Sequence, residues 1–501
     1  MPMPLALSPH SPPRPRPPTA PPRRAARLPR LLHHPAALAW GLAAGFAALY
    51  VCVAANRHRR GLTKAYDLGI FEQAIRAYAH LRPPIVPLKG PGYHLLGDHF
   101  HPLIATLAPV YRAFPTPLTL VVAQALLMAL AVVPLTRWAH EVAGPRVALV
   151  VGCATGASWG IVRAAADDFH EIAFAVPLLA FAATALGRRR PLAAALWSLP
   201  LLLVKEDLGL TVAAVGLLIA WQARQTGRTP LPGIALAAVG LAATAVTVLV
   251  VLPAFNPGGG FDYWQQLDGG GQPAPWTLPL LLGWPPVKWL LLFLLAATAG
   301  FLGLRSPLFL LCVPTLAWRL LSANPHYWGV SYHYSAVLMP IAIAALVDTV
   351  ARSRRPRPTA GGADTAPTPL LLRARRALLV SALVTVVTLP LYPLHEVVMP
   401  EAWRTSPRLT ETRAMLRLIP DDATVAASNR LAAQLTDRTE VTLVCREPIR
   451  PGPEWVAVDL RDPSVRAPCA VADTARMLTV YQESGYRRLV DQDGLILLKR
   501  P

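Results

Sequence analysis

Apolar runs close to twenty residues long recur along most of this chain, and a run of that length admits few structures. About twenty residues of helix cross the roughly 30 Å hydrocarbon layer of a bilayer. A spanning segment must satisfy its own backbone polar groups there, which selects helices over irregular chain. Only 15% of the 501 residues are charged and 53% are hydrophobic, against about 25% charged in soluble chains. Eleven spans are expected, over 35–55, 117–138, 146–163, 171–187, 191–205, 208–222, 231–253, 278–299, 307–321, 335–351 and 377–394. The fold class is therefore an α-helical polytopic membrane protein, with an apolar, interfacial stretch at Leu103–Phe114.

The 48 Lys and Arg outnumber the 28 Asp and Glu. This excess lies beside the apolar runs, which fits cytoplasmic loops of a membrane protein and gives no reason to expect nucleic-acid binding. Residues 1–34 hold six arginines and no acid in a proline-rich context. They read as a disordered cytoplasmic tail. With the N-terminus inside, alternation puts Arg188–Arg190, Arg224 with Arg228, Arg305 and the Arg352–Arg376 linker in the cytoplasm as well. Arg57, Arg59, Arg60 and Lys64 then fall on the outer side, against the rule. A role in holding a lipid phosphate would account for them.

Beyond Leu394 the composition becomes that of a soluble domain, and residues 395–501 are expected to form a small extracytoplasmic α/β unit. Ser406 followed by Pro407 reads as an N-cap with proline at the first helical position, opening a helix to about Leu418. Strands are expected at Thr424–Ala427, Glu440–Cys445 and Trp455–Asp459, a helix near Ala472–Glu483, and a hairpin at Asp491–Gly494. Cys445 and Cys469 either pair or remain free thiols, since spacing alone does not show proximity.

The polar residues concentrate in a few loops. Tyr66–Pro102, YDLGIFEQAIRAYAHLRPPIVPLKGPGYHLLGDHFHP, carries Asp67, Glu72, Lys89, His94, Asp98, His99 and His101. The alternation predicts that it shares one face of the membrane with four other clusters. These are Asp167–Glu171 (with Asp168 and His170), Lys205-Glu206-Asp207, the glycine-rich loop Asn256–Gln272, and Asn324–His333 (with His326). Asp67 precedes an amphipathic helical pattern, so its carboxylate either caps that helix or acts as a general base. His99 and His101 point the same way if the segment is extended. With Asp98 or Glu72 they offer ligands for a divalent metal, although the spacing matches no recognised site. Solvated boundary positions are the plain reading of Asp168, His170 and Glu171. Lys205-Glu206-Asp207 has apolar chain on both sides and must be paired or face a cavity. The rings of NPHYWGVSYH suit either a membrane interface or stacking against a sugar.

DLGIFEQ, HFHPLIATLAPVYRAFPTPLTL, DFHEIAFAVPLL, KEDLGL and SNRLAAQL, in that order, resemble the predicted bacterial membrane proteins called domain of unknown function 2079. The resemblance covers most of residues 60–450. The layout is similar to multi-spanning glycosyltransferases that use lipid-phosphate sugars, in which an acid of the first outer loop is the expected base. It implies a membrane glycosyltransferase with Asp67 in that role and a polyprenyl-phosphate sugar as substrate. Glu72, His99, His101, Asp168, His170, Glu171, Lys205, Glu206, Asp207, His326 and His333 are then the candidate substrate-binding residues. A transporter or flippase of a lipid-linked molecule, and a scaffold presenting the outer domain, are the alternatives. The absence of a clear internal repeat, with charges at span ends, favours the enzyme.

Overall fold

The computed structural model describes residues 34–264, 285–354, 369–446, 452–462 and 468–501. The basic tail, the end of the glycine-rich loop and most of the arginine linker lie outside the described residues. Helical structure lies in each of the eleven segments expected to span, in the eighth over Pro286–Thr298, since 278–284 fall outside the described residues. Five of these are long and apolar enough to cross a membrane by themselves: Pro35–Arg59, Pro117–Ala143, Leu231–Phe255, His333–Ser353 and Leu371–Leu391. Pro145–Gly156 and Trp159–Ala165 form a sixth together, bent by 47°. The bend falls where the Tyr50 hydroxyl takes the Gly156 carbonyl and where Phe46 packs so closely on Gly156 that no side chain fits. Shorter apolar helices, Ile172–Gly187, Pro191–Leu203, Pro286–Thr298 and Pro307–Leu321, complete the bundle with Leu208–Gln225.

Leu208–Gln225 and Leu231–Val246 form an antiparallel pair whose backbones meet. A Cβ on Gly216 would sit 2.6 Å from the Gly233 carbonyl oxygen, and one on Gly240 would sit 2.4 Å from that of Gly209. Small residues that let helices touch are a common way to associate spans in lipid, where hydrophobicity gives no drive. This pair fixes the Lys205–Asp207 turn at its end, and the Thr244 hydroxyl donates to the Glu206 carbonyl over 2.9 Å.

The C-terminal unit holds a five-stranded sheet of β1 (Thr424–Ala427), β2 (Glu440–Leu443), β3 (Trp455–Asp459), β4 (Arg487–Gln492) and β5 (Leu495–Lys499), in the order β2-β1-β3-β5-β4. β1 is parallel to β2 and β3, whereas β5 is antiparallel to β3 and β4. The β4–β5 hairpin turns through Asp493 and Gly494, both at positive φ, as a tight hairpin with the strand twist requires. The expected helix opens at Pro407 with the Ser406 side chain accepting from the Leu409 amide. Cys445 and Cys469 are joined by a disulfide, their Cα atoms 5.5 Å apart.

One face of this sheet buries Val456, Val458, Ile496 and Leu498 under Met477, Leu478 and Tyr481 of helix Val471–Glu483. The opposite face, with Val425, Ala427, Val441, Leu443 and Leu497, is covered from elsewhere in the chain. Leu68, Phe71, Ala74 and Ile75 of the first loop pack onto it. The Leu68, Phe71 and Ile75 side chains each contribute about 1.5–3 kcal/mol when fully buried. Polar contacts fix the register: Gln73 donates to the Val441 carbonyl over 2.9 Å, and Arg76 donates to the carbonyls of Thr436 and Thr439, each over 3.1 Å. Helix Ile70–Ala79 is thus a layer of the α/β unit, although nearly 350 residues separate them in sequence. Arg57 and Arg60 at the end of the first span pair with Glu396. Their charge ties that span to the segment leading into the α/β unit, so these two do not form the free phosphate cradle expected for them.

Candidate functional site

Asp67 lies in a kinked turn, Ala65–Gly69, that runs into helix Ile70–Ala79. It caps nothing: Gly69 occupies the helix cap, without a side-chain cap hydrogen bond. This removes the structural explanation offered for Asp67 by its place before the helix. The backbone is non-helical at Tyr66, and two side chains satisfy backbone amides at the start of this turn, which have no partner within the helix. The Lys64 N–H donates to Asp168 Oδ1 over 2.9 Å and the Tyr66 N–H donates to Asn429 Oδ1 over 2.9 Å.

Thus held, Asp67 faces the loop before helix Ile172–Gly187. Its Oδ1 is 3.5 Å from His170 Nε2. The other nitrogen, Nδ1, donates to the Asp168 carbonyl over 2.7 Å, which presents Nε2 to the carboxylate. Burial opposes a charge on His170, but the Asp67 carboxylate outweighs it and lifts the imidazole to about 9. Gln124, a lone amide inside an apolar helix, holds this loop. It donates to the carbonyls of Ala164 and Asp168 over 2.9 and 3.0 Å and accepts from the His170 N–H over 2.9 Å. His333 packs against His170, with ring centroids 3.5 Å apart and planes tilted by 31°.

Most of the charges beyond this point are paired with an opposite charge. Lys205 donates to Glu171 over 2.9 Å. Glu171 would be raised by burial, but Lys205 and the neighbouring histidines bring it down to about 2. Glu206 meets His99 Nδ1 at 2.7 Å and accepts from the Phe100 N–H over 3.1 Å. Asp207 accepts from Trp318 over 2.8 Å. Asp98 pairs with Lys89 at 3.0 Å and accepts from the Tyr263 hydroxyl over 3.2 Å. Burial separates the carboxylates of this network. The Asp168, Glu171 and Glu206 side chains are 2%, 4% and 5% exposed, Asp98 is 13%, and Asp67 is 39%. Asp67 is the one open to an incoming molecule. Beside it Lys64 is 30% exposed and only loosely held by Asp168, at 3.8 Å.

Of the residues singled out in the sequence, Asp67, His99, Asp168, His170, Glu171, Lys205, Glu206, Asp207 and His333 join this network. His101 sits at its edge, buried against Phe71, and burial lowers its imidazole to about 4. Glu72 does not join. It is fully buried between the first loop and the α/β unit, accepting from Tyr111 over 2.9 Å and from Thr436, and burial pushes it up to about 8. His326 is exposed and bonded to Asn324, so within NPHYWGVSYH it is His333 that reaches the network. Among the described residues no group of three or more His, Cys, Asp or Glu is arranged to hold a metal ion, which leaves the His99 and His101 metal reading without a site. Gln124 and Asn429 were missed as functional candidates. A single amide in an apolar run was the available signal for Gln124.

An open apolar groove of about 870 Å³ runs between helices Pro35–Arg59 and Pro117–Leu130. Its lining includes Trp40, Val110, Phe114, Leu126 and Phe174. Phe174, three residues after Glu171 in the chain, is part of this lining, which holds none of the charged residues of the network.

No curated protein matches the chain in sequence. Among solved structures it is similar to the crystal structure of ArnT from Cupriavidus metallidurans bound to undecaprenyl phosphate. The TM-score is 0.50 over 92% of this chain and 98% of that one, at 12% identity. The likeness shows a shared fold, a helical membrane bundle with a small appended domain. The sequence model of the predicted membrane proteins DUF2079 matches residues 57–497, and the chain belongs to that family.

Proposed function

We propose that this protein is a membrane glycosyltransferase that takes a sugar from a polyprenyl-phosphate donor at the outer face of the membrane. The observation that carries the reading is the contrast within the cluster: one exposed carboxylate, Asp67, aligned by a buried imidazole, among acids that are buried and paired. In the proposed reaction an acceptor hydroxyl attacks the anomeric carbon of the donor. Its proton passes to Asp67, the bond from that carbon to phosphate oxygen breaks, and polyprenyl phosphate leaves. A carboxylate base of this kind contributes roughly 10²–10⁴-fold. Lys64, three residues from Asp67 and loosely paired, neutralises the leaving phosphate, and the charge on His170 adds to that field. The apolar groove beside Phe174 receives the first isoprene units of the lipid. The fold shared with a protein that binds undecaprenyl phosphate supports the substrate class. The Cys445–Cys469 disulfide supports an outer position for the α/β unit, because such bonds persist in oxidising compartments.

Asp67→Asn tests the reading in cells. Because Asp67 caps nothing, the exchange leaves the helix start intact while removing the base and the negative charge that faces His170. Expected is an inserted, normally expressed protein that fails to complement a deletion, with polyprenyl-phosphate sugar accumulating in extracted lipid. Complementation equal to wild type would remove Asp67 as the base.

A further inference from the structure

The sheet of the α/β unit has a topological switch point. The chain leaves β1 for β2 on one side, while β3 lies on the other, and all three strands are parallel. In open α/β sheets the crevice outside the carboxyl ends at such a point is where ligands bind. Here Ser428 and Asn429 follow the end of β1 at this place. Both are buried and their backbone is fixed: the Ser428 N–H donates to the Ala457 carbonyl over 3.0 Å, and its hydroxyl accepts from the Asp459 N–H over 3.2 Å. Arg430 pairs with the buried Asp462 at 3.3 Å. What meets Asn429 there is the backbone of the first loop, through the Tyr66 N–H at 2.9 Å.

We propose that Asn429 is a positioning residue for Asp67, and that the α/β unit serves the site by holding the Asp67 turn in its switch-point crevice. The inference rests on the proposed role of Asp67 for its catalytic consequence, but the positioning is geometric. Tyr66 lies in the first turn of its helical segment, where backbone N–H groups have no partner within the helix, and a half-buried amide of this kind is costly to leave unpaired. Asn429 supplies the acceptor from a rigid strand end. Asp168 supplies the matching one two residues earlier, from the membrane bundle. The turn carrying Asp67 is therefore clamped between two parts of the molecule, and its carboxylate is held toward His170. Loss of the Asn429 oxygen frees one side of the clamp. The hydrophobic packing of Phe71 and Ile75 on the sheet is untouched by that loss, so the fold is expected to persist.

The test uses full-length protein reconstituted in nanodiscs, with Asn429→Ala and Asn429→Asp. Asp retains an oxygen to accept the Tyr66 amide and serves as the conservative rescue. Two readouts are taken. The first is the rate at which a water-soluble carbodiimide with an amine nucleophile modifies Asp67, mapped by mass spectrometry with exposed Asp491 as internal control. The second is turnover of a polyprenyl-phosphate hexose. A misplaced reacting group costs on the order of 10²-fold, so Asn429→Ala is expected to lower kcat about tenfold or more at little-changed KM and to alter the Asp67 modification rate about threefold. Asn429→Asp is expected to restore both toward wild type. Unchanged Asp67 modification in a folded Asn429→Ala protein overturns the proposal, as does equal failure of both variants. If wild type turns over no donor, the transfer reading fails, and the modification arm still decides the positioning: a shifted rate upholds it and an unshifted rate overturns it.

Discussion

At the scale of single residues, much of the site was legible and its pairing was not. Charged residues in a lipid-facing chain are costly, so Asp67, Asp168, Glu171 and Lys205-Glu206-Asp207 stood out at once. The sequence offered no way to see that Glu171 takes Lys205 or that Glu206 takes His99, because those partners are 34 and 107 residues apart. It also misled for Glu72, which shares a short motif with Asp67 yet points into the interface with the α/β unit. His170 yields a prediction. Its imidazole is raised from about 6.5 to about 9 by Asp67. The stability that this pairing contributes is therefore fully present near pH 6.5 and is lost as pH rises through about 9. Turnover is expected to decline on the alkaline side near pH 9 in wild type. In His170→Gln, whose side chain does not titrate, a pH–rate profile should lack that limb and show a lower plateau. An alkaline limb unchanged in His170→Gln would assign it to another group. Lys64→Gln should weaken donor use by about tenfold, at roughly 1–2 kcal/mol for a charge-assisted contact. A wild-type KM and kcat would exclude Lys64 from phosphate binding.

At the scale of elements, periodicity and turn chemistry found the helices and strands well. The Ser406-Pro407 helix start, the three parallel strands and the Asp493-Gly494 hairpin emerged within a few residues of their expected places. What local signals cannot contain is the docking of helix Ile70–Ala79 onto the sheet, since an amphipathic pattern names a buried face but not its partner. Glu72 lies in that interface, and its raised value has a sign that can be worked out. A carboxyl near 4.5 when unfolded and about 8 when folded makes the native state bind the extra proton between those values. Stability therefore falls as pH rises through that window, by up to about 1.4 kcal/mol per pH unit. Thermal unfolding of the reconstituted protein from pH 5 to pH 8 should show this slope, and Glu72→Gln should flatten it. A slope retained in Glu72→Gln would locate the titration elsewhere. The close helix pair gives a structural counterpart. Gly216→Val places a side chain against the Gly233 carbonyl, and overpacking of this kind costs about 1–3 kcal/mol. The expected result is a lower melting temperature together with loss of the Lys205–Asp207 turn.

At the scale of the molecule, the apolar run length was enough to set a helical membrane protein with a small α/β unit, and the likeness to a membrane protein fold agrees. The division into a membrane part and a separate soluble part was less complete as a description, because the sheet is finished by a helix of the first loop. Orientation rests on the arginines and is tested by an impermeant maleimide in intact cells. Ser484→Cys in the α/β unit should label and Ala363→Cys in the arginine linker should not. Labelling at Ala363 would invert the topology and move the proposed site to the other face. The central claim is that the clamped Asp67 is the base for sugar transfer from a lipid phosphate. The direct measurement is release of polyprenyl phosphate from polyprenyl-phosphate hexose by the purified, reconstituted protein, followed by mass spectrometry for wild type and Asp67→Asn. The account predicts release by wild type, with Asp67→Asn slower by at least about 10²-fold while binding the donor equally well. Equal rates in the two proteins, or binding of the donor without release by wild type, would contradict it.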